Sequence, residues 1–322
     1  MKFHFYKYCL ALALIVSAIS CSQIEFERQD VNTWYDAKSD TLAVELSYHN
    51  LTAVAKEENS WTNDGFKSKP AGPDLEAGEK VLRRIAAGER FFMIAISFME
   101  VDLENQPELI AEDSTPEEIR AAQFVDGVSM DTARVFINKE NQLCAVQQLS
   151  VRNLSDGLAL MNAGLRNEFY QDYVESSVRA EDDPLDEATI ALFLTDVENG
   201  YDWVRWTEAG LSFSIPASPE LLAKLFLDGL AAIGNGSEKG LPQFLAGFRS
   251  MAEVLGPITG LTVIDNHVTI TFGADADGKL SFHFPNKWDN PYESENDSGN
   301  ANALRDHILQ SDLKLPTSWK RE

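Results

Sequence analysis

The stretch Tyr201-Asp202-Trp203-Val204-Arg205-Trp206-Thr207-Glu208 gathers the residue types that chemistry on sugars requires. Indole rings can stack on sugar faces. Two carboxyls flanking a glycosidic bond supply the acid and base of hydrolysis. A hydrolase of sugars, built on a carboxyl pair near Trp203 and Trp206, is therefore one expectation. Large aromatics on a strand also serve as core or sheet surface. Glu100, Asp102 and Glu104 alternate and form a second candidate, as oxygen ligands for a divalent cation, although a solvated strand end has the same pattern. His49, His267, His283 and His307 are scattered and lack zinc spacing. No nucleophile elbow, phosphate loop, dinucleotide fingerprint or His-Glu-x-x-His motif occurs. An EF-hand register on Gly278 would need acids at Gly273 and Phe284. No cofactor and no metal site is expected, and catalytic residues stay unassigned.

The N-terminus speaks to location. Lys2 and Lys7 precede the apolar run Cys9-Leu10-Ala11-Leu12-Ala13-Leu14-Ile15-Val16, and Ser17-Ala18-Ile19-Ser20-Cys21 follows. A basic start, a short apolar middle and small residues before a break make a secretory signal. The 13 residues from Tyr8 to Ser20 are too few to span a bilayer core of about 30 Å. With Cys21 directly after small residues, Ala18-Ile19-Ser20-Cys21 resembles the lipobox of bacterial lipoproteins. That resemblance implies a signal peptide over residues 1–20, acyl chains on Cys21 and a lipid-anchored protein of the cell envelope. Ser22 in place of Asp leans towards the outer membrane in that family. The resemblance covers about 21 residues and implies nothing about the mature fold. Ala18 and Ser20 also satisfy a small-x-small cleavage rule, so ordinary secretion is the alternative.

The 322-residue chain carries 51 acidic and 27 basic side chains. Loss of Lys2 and Lys7 takes the net charge from −24 to about −26, which repels nucleic acid and anionic head groups. The expected membrane contact is therefore through the N-terminal lipid only, and nucleic acid is not an expected partner. A content of 44% hydrophobic residues suffices for a full core. Cys144, in Gln142-Leu143-Cys144-Ala145-Val146, is expected to be a buried thiol. The sequons at Asn50, Asn153, Asn235 and Asn296 are read as chance matches.

The elements that must position these groups follow from period and punctuation. Trp34 to Tyr48 predicts strand, turn and strand, with Leu42, Val44, Leu46 and Tyr48 on one buried face. Residues 59–74 read as a loop, and Leu75 to Ala87 as a helix ended by Gly88, with Leu82, Ile85 and Ala86 inward and Glu79 paired to Arg83. Phe91 to Met99 reads as a central strand buried on both faces. Thr115-Pro116-Glu117-Glu118 is a capping box. Val128 to Ile137 and Gln142 to Val151 predict a hairpin. It echoes the first: Lys38-Ser39-Asp40-Thr41-Leu42 against Lys139-Glu140-Asn141-Gln142-Leu143, and Asn50 against Asn153. Shared turn chemistry is favoured over duplication as the cause.

A long helix is expected over Asp156 to Arg179 with Ser155 as cap, and another after Asp183-Pro184 with Ile190, Phe193, Leu194 and Val197 inward. Residues 218–256 read as a helical hairpin. His267 to Phe284 predicts a β-hairpin setting Phe272 opposite Phe282 across Ala276-Asp277-Gly278, with Asp275 facing Lys279. For Trp203 to Ile215, face matching prefers Trp206 opposite Phe213, whereas turn chemistry prefers the loop Glu208-Ala209-Gly210. Residues 289–302 read as a flexible acidic loop, and a final helix near Ala303 to Leu313 is expected. The fold class is α+β: a largely antiparallel sheet built from hairpins, helices packed on one face, and residues 21–322 as one domain. The expected function is a lipid-anchored envelope protein with a non-catalytic binding or scaffolding role. The alternatives are the anchored hydrolase and a divalent-cation-binding module.

Overall fold

The computed structural model describes residues 20–21, 23–62, 65–94, 99–103, 115–166, 187–207, 209–218, 258–264, 266–275, 277–285, 302–313 and 315. The predicted helical hairpin over 218–256, apart from Ser218, lies outside these residues, as does the acidic loop over 289–301.

Alternating apolar residues give long strands, and these build a five-stranded antiparallel sheet. Its members are β2 (Ile24–Asp36), β3 (Thr41–Ala53), β8 (Val128–Ile137), β9 (Leu143–Arg152) and β14 (Lys279–Pro285), in the order β14-β2-β3-β9-β8. Leu46 and Tyr48 are buried as their alternation predicts. The two echoing hairpins lie side by side, β3 against β9. Asp40, Asn141, Asn50 and Asn153 all adopt left-handed backbone, with φ of 49°, 62°, 53° and 56°. The echo therefore marks places where the chain needs a residue that tolerates positive φ.

A four-stranded antiparallel sheet contains β10 (Val204–Thr207), β11 (Gly210–Pro216), β12 (Ile258–Ile264) and β13 (His267–Gly273), ordered β10-β11-β13-β12. Here the predicted hairpin over His267 to Phe284 is corrected. Its turn forms as expected: Gly278 has φ of 74°, and the Asp275 amide donates to the Lys279 carbonyl at 2.8 Å. Its strands then part. Phe272 faces Leu211 in the four-stranded sheet, whereas Phe282 faces Val31 in the five-stranded sheet. One short turn thus carries the chain from sheet to sheet. The other uncertain hairpin closes with Thr207 opposite Gly210 and Trp206 opposite Leu211. Trp206 keeps Leu211 and Phe213 on its face, but the turn falls one residue earlier than face matching predicted. Gly210 is required there, with φ of 123° and a Cβ position 2.0 Å from the Phe272 carbonyl oxygen.

A three-stranded sheet pairs β1 (Ser20–Cys21), β7 (Met99–Asp102) and β6 (Phe91–Ile94), ordered β1-β7-β6. Phe91, Phe92 and Met93 are buried on both faces as predicted, but the single central strand expected over Phe91 to Met99 is instead two: β6 ends at Ile94 and lies at the sheet's edge, and Met99 opens its antiparallel partner β7. The predicted loop over residues 59–74 is instead largely a hairpin of β4 (Ala55–Thr62) and β5 (Gly65–Pro73). Its polar, proline-containing sequence lacks the apolar alternation by which strands are recognised.

Helix α1 (Leu75–Ala87) matches its predicted limits. Asp74 caps it, Gly88 closes it with φ of 74°, and Arg83 Nε donates to Glu79 Oε1 at 2.9 Å. Leu82 and Ile85 are buried, whereas Ala86 is exposed. Helix α2 (Pro116–Asp126) carries the full capping box of Thr115 and Glu118. Helix α3 (Leu154–Gly164) starts earlier than predicted, with Asn153 and not Ser155 at its N-cap. Asn153 offers no side-chain cap. Asp40, from the β2–β3 turn, accepts from the Ser155 amide at 3.1 Å instead. Helix α4 (Glu187–Asn199) buries Phe193, but Leu194 is exposed because Thr189 and Asp196 take the inward stripe. Helix α5 (Ala303–Gln310) buries Leu304 and Ile308.

The main core joins one face of the five-stranded sheet to α1, α2, α3, α5, β6 and the Phe272 side of the four-stranded sheet. Phe193 and Trp203 form a second, small cluster under α4. Cys144 is buried, as expected, and burial pushes its thiol pKa up.

Candidate functional site

A strand edge normally offers unpaired N–H and C=O groups. Two edges in this fold are met by buried side chains. Gln29, Tyr48 and Gln147 come from the neighbouring strands β2, β3 and β9 and project into the core, all within 1% of full burial. Gln29 Nε2 donates to the Met93 carbonyl at 2.7 Å, and Gln147 Nε2 to the Phe91 carbonyl at 2.5 Å. The Tyr48 hydroxyl accepts from the Met93 amide at 3.1 Å and lies 3.0 Å from Gln147 Oε1. The single phenol proton has two acceptors in reach, Gln147 Oε1 at 3.0 Å and the Met93 carbonyl at 3.2 Å, and the nearer is Gln147. Burial holds the Tyr48 phenol pKa well above its ordinary value. At β10, the buried Asn162 amide brackets Val204, donating to its carbonyl at 2.8 Å and accepting from its amide at 2.9 Å. These polar groups are structural fasteners.

The sugar-chemistry candidates are not brought together. Trp203 is buried under α4, edge-on to Phe193, and its Nε1 donates to Asp196 Oδ2 at 2.7 Å. Trp206 packs on the main core beside Tyr35. The two indoles therefore serve different clusters. Asp202 is paired with Arg166 at 3.1 Å, and the same guanidinium donates to the Gly200 and Tyr201 carbonyls just beyond the end of α4, at 3.3 and 2.7 Å. Glu208 lies outside the described residues. Asp196 and His267 form a buried pair, with His267 Nε2 2.9 Å from Asp196 Oδ2 and Tyr201 stacked on the imidazole at 4.3 Å. In the sequence His267 is one of the scattered histidines. The pair needed α4 and β13 to be adjacent before it could be seen.

Of the calcium candidates, Asp102 pairs with Arg84 at 2.7 Å, and Glu104 lies outside the described residues. Among the described residues no group of three or more His, Cys, Asp or Glu could hold a metal ion. Cys21 pairs through its backbone with Met99, and β2 begins three residues later at Ile24.

The outer face of the five-stranded sheet has a different character. Successive cross-strand rows carry Lys279, Trp34, Ala43 and Ser150, then Ser281, Asn32, Glu45 and Gln148. Ala43 is small, and a depression of about 310 Å³ opens between Trp34 on one side and Asp131 on the other, with Glu45 and Gln148 beside it. Gln148 Nε2 donates to Glu45 Oε2 at 3.0 Å, and Asn32 Nδ2 to Glu45 Oε1 at 3.3 Å. Asp131 sits at a break in the β8–β9 register, where Met130 faces Leu149 and Thr132 faces Gln148. Such a bulge re-aims a side chain. Here the Asp131 carboxylate accepts from Ser150 Oγ and from Ser129 Oγ. Lys279 Nζ lies 5.8 Å from the Trp34 ring centre. Further along this face, Asp30 lies 2.8 Å from both His49 Nε2 and His283 Nδ1, and 3.1 Å from Arg28 Nε. Burial works against the charged carboxylate, but these partners outweigh it and hold the Asp30 pKa below the usual carboxylate range. The sequence offered one sign of this face, the polar alternation in β2 and β3. It could not show which strands would lie alongside.

No family model matches the chain, and no match was found among curated proteins or solved structures.

Proposed function

We propose that this chain is a lipid-anchored protein of a bacterial cell envelope, held through Cys21, with a non-catalytic binding or scaffolding role. The observation that carries the proposal is the N-terminal series of Lys2, Lys7, the apolar run from Cys9 to Val16, and Ala18-Ile19-Ser20-Cys21. Each buried methylene of an acyl chain contributes about 0.8 kcal/mol, so two or three chains hold a folded domain at a bilayer. The outer membrane is the favoured location. Cys21 lies in β1 opposite Met99, and β2 begins three residues later, a reach of at most roughly 10 Å, so the domain would ride close to the lipid surface.

The non-catalytic part of the reading is supported by how the buried polar groups are used. Gln29, Tyr48, Gln147 and Asn162 fasten strand edges, and Asp196 bonds to Trp203 and His267. The sugar-hydrolase alternative would need a carboxyl pair about 5–10 Å apart beside both indoles, and Trp203 and Trp206 lie in separate clusters. Among the described residues no helix is long and apolar enough to cross a membrane.

Expression of wild type and Cys21→Ala, followed by fractionation and intact-mass measurement, tests the proposal. Wild type should sediment with membranes and carry the mass of acyl chains on a chain beginning at Cys21. Cys21→Ala should lose that mass and leave the membrane fraction. A retained leader or an unmodified terminus on wild type would refute the anchor.

A further inference from the structure

The hairpin of β4 and β5 leaves the body of the fold where the N-terminus does. The Val54 amide donates to the Gln23 carbonyl at 3.1 Å, and Gln23 follows Cys21 by two residues. The chain enters β4 directly after Val54, and the Asp74 amide closes the root of the hairpin on the Val54 carbonyl at 2.8 Å. Among the described strands, β4 and β5 pair only with each other. At about 3.3 Å per residue, β4 carries the chain roughly 20–25 Å from that root. Trp61 stands opposite Phe66 in the register, one step before the last pair, Thr62 and Gly65. We propose that this hairpin is a second membrane contact, with Trp61 and Phe66 entering the interfacial layer of a zwitterionic bilayer beside the acyl anchor. The inference rests on the Cys21 anchor proposed above and adds a contact made by the polypeptide itself.

Residue type, charge and proximity select a bilayer as the occupant. Trp and Phe are residues with which interfacial segments enter the headgroup boundary. Here they are one cross-strand pair at the end of the hairpin farthest from its root. The whole chain has 51 acidic and 27 basic side chains, and this excess is why contact through lipid alone is expected. The hairpin is locally exempt from that argument. Residues 55–73 carry three charges of each sign, Lys56, Lys67 and Lys69 against Glu57, Glu58 and Asp64. Glu58 stands opposite Lys69, so part of this charge is matched across the strands. A surplus of lysine would select anionic head groups, whereas a balance selects zwitterionic ones. A second copy of the chain brings the same acidic excess, which opposes docking between copies. Proximity supplies the rest. An acylated Cys21 keeps the root of the hairpin within roughly 10 Å of the lipid, so a contact too weak to act alone becomes intramolecular. One attachment point leaves a domain free to swivel. A second contact roughly 20 Å along the hairpin fixes which side faces the bilayer.

The test is tryptophan emission of the full-length protein reconstituted into phosphatidylcholine vesicles, compared with the same vesicles made from brominated phosphatidylcholine, which quenches on contact. Wild type should lose about one sixth of its emission in the brominated vesicles, the share of one of the chain's six tryptophans. Trp61→Phe should abolish most of that loss, with unchanged circular dichroism. Phe66→Ala keeps Trp61 as the reporter and should reduce the loss. High salt should leave the wild-type loss unchanged, because an apolar contact is not screened. The proposal is overturned if wild type is not quenched, if the loss survives Trp61→Phe, or if salt abolishes it. It is also overturned if Trp61→Phe converts a dimer in detergent to a monomer, which would make a second copy the occupant. Intact mass at Cys21 reads the anchor independently. Acylated protein without Trp61-dependent quenching refutes the hairpin contact alone. An unmodified Cys21 refutes the anchor, and the same proteins mixed with preformed vesicles then decide the hairpin by the same criteria.

Discussion

Tyr48→Phe isolates the fastening of β6 to the main sheet. The substitution keeps the ring, its burial and its 5.5 Å contact with Phe26, and deletes only the hydroxyl. Two buried groups then lose their partner. The Met93 amide, which donates to that oxygen at 3.1 Å, has no replacement from β7, because Phe91 and Met93 turn their polar groups towards the side chains of the five-stranded sheet. An orphaned buried N–H costs about 1–3 kcal/mol. Gln147 Oε1 loses its donor at 3.0 Å, a further loss of about 0.5–1.5 kcal/mol. The sum, about 1.5–4.5 kcal/mol, corresponds to a fall in Tm of roughly 3–18 °C at about 2–4 °C per kcal/mol. Urea denaturation followed by circular dichroism measures the loss directly. Hydrogen exchange adds a local readout, since the Met93 amide should lose protection beyond the global change. A Tyr48→Phe protein within about 0.5 kcal/mol of wild type, with Met93 still protected, would show that the hydroxyl does not hold this strand, and the reasoning would be wrong.

Two further outcomes follow from the same kind of argument. Asp40→Ala removes the cap of α3 and a left-handed-tolerant residue, and should cost about 1–2 kcal/mol in urea denaturation. Asp40→Asn should recover more than half of that, and equal losses would refute the capping role. Asp30 has a folded-state pKa below its unfolded value of about 3.9, so it stabilises the fold fully above that value, and the contribution is lost as pH falls through the folded value. Asp30→Asn should therefore lower stability at about pH 6 and flatten its decline below about pH 4. An unchanged slope would count against the His49–Asp30–His283 cluster as a staple.

What could be read in the sequence was local. The limits of α1 follow from Asp74, Gly88 and an apolar stripe, and the start of α2 from a capping box, all within a few residues of one another. The turn at Asp275 to Lys279 was also legible, because Gly278 supplies the left-handed residue it needs. Partner choice was not legible. Nothing near Phe272 or Phe282 states that their strands enter different sheets, since β13 pairs with β11 and β14 with β2, more than 50 and 240 residues away respectively. Gln29 and Gln147 escaped for a related reason. A polar residue within an alternating strand reads as solvent-facing, and only the arrival of β6 gives it a buried carbonyl to serve. The outer-face depression likewise depends on Ala43 falling between Trp34 and Ser150 in a row built from separate strands. Trp203 and Trp206 show the converse. They are close in sequence and carry plausible chemistry, yet they serve separate clusters.

The departure of β14 from β13 has a bearing on when this protein can become native. The edge of β2 is covered by residues 279–285, which are made more than 240 positions later. Closing that pairing brings together segments separated by most of the polypeptide, which slows folding. A nascent chain would expose an uncovered β2 edge until residues 279–285 had been made, a hazard for mispairing.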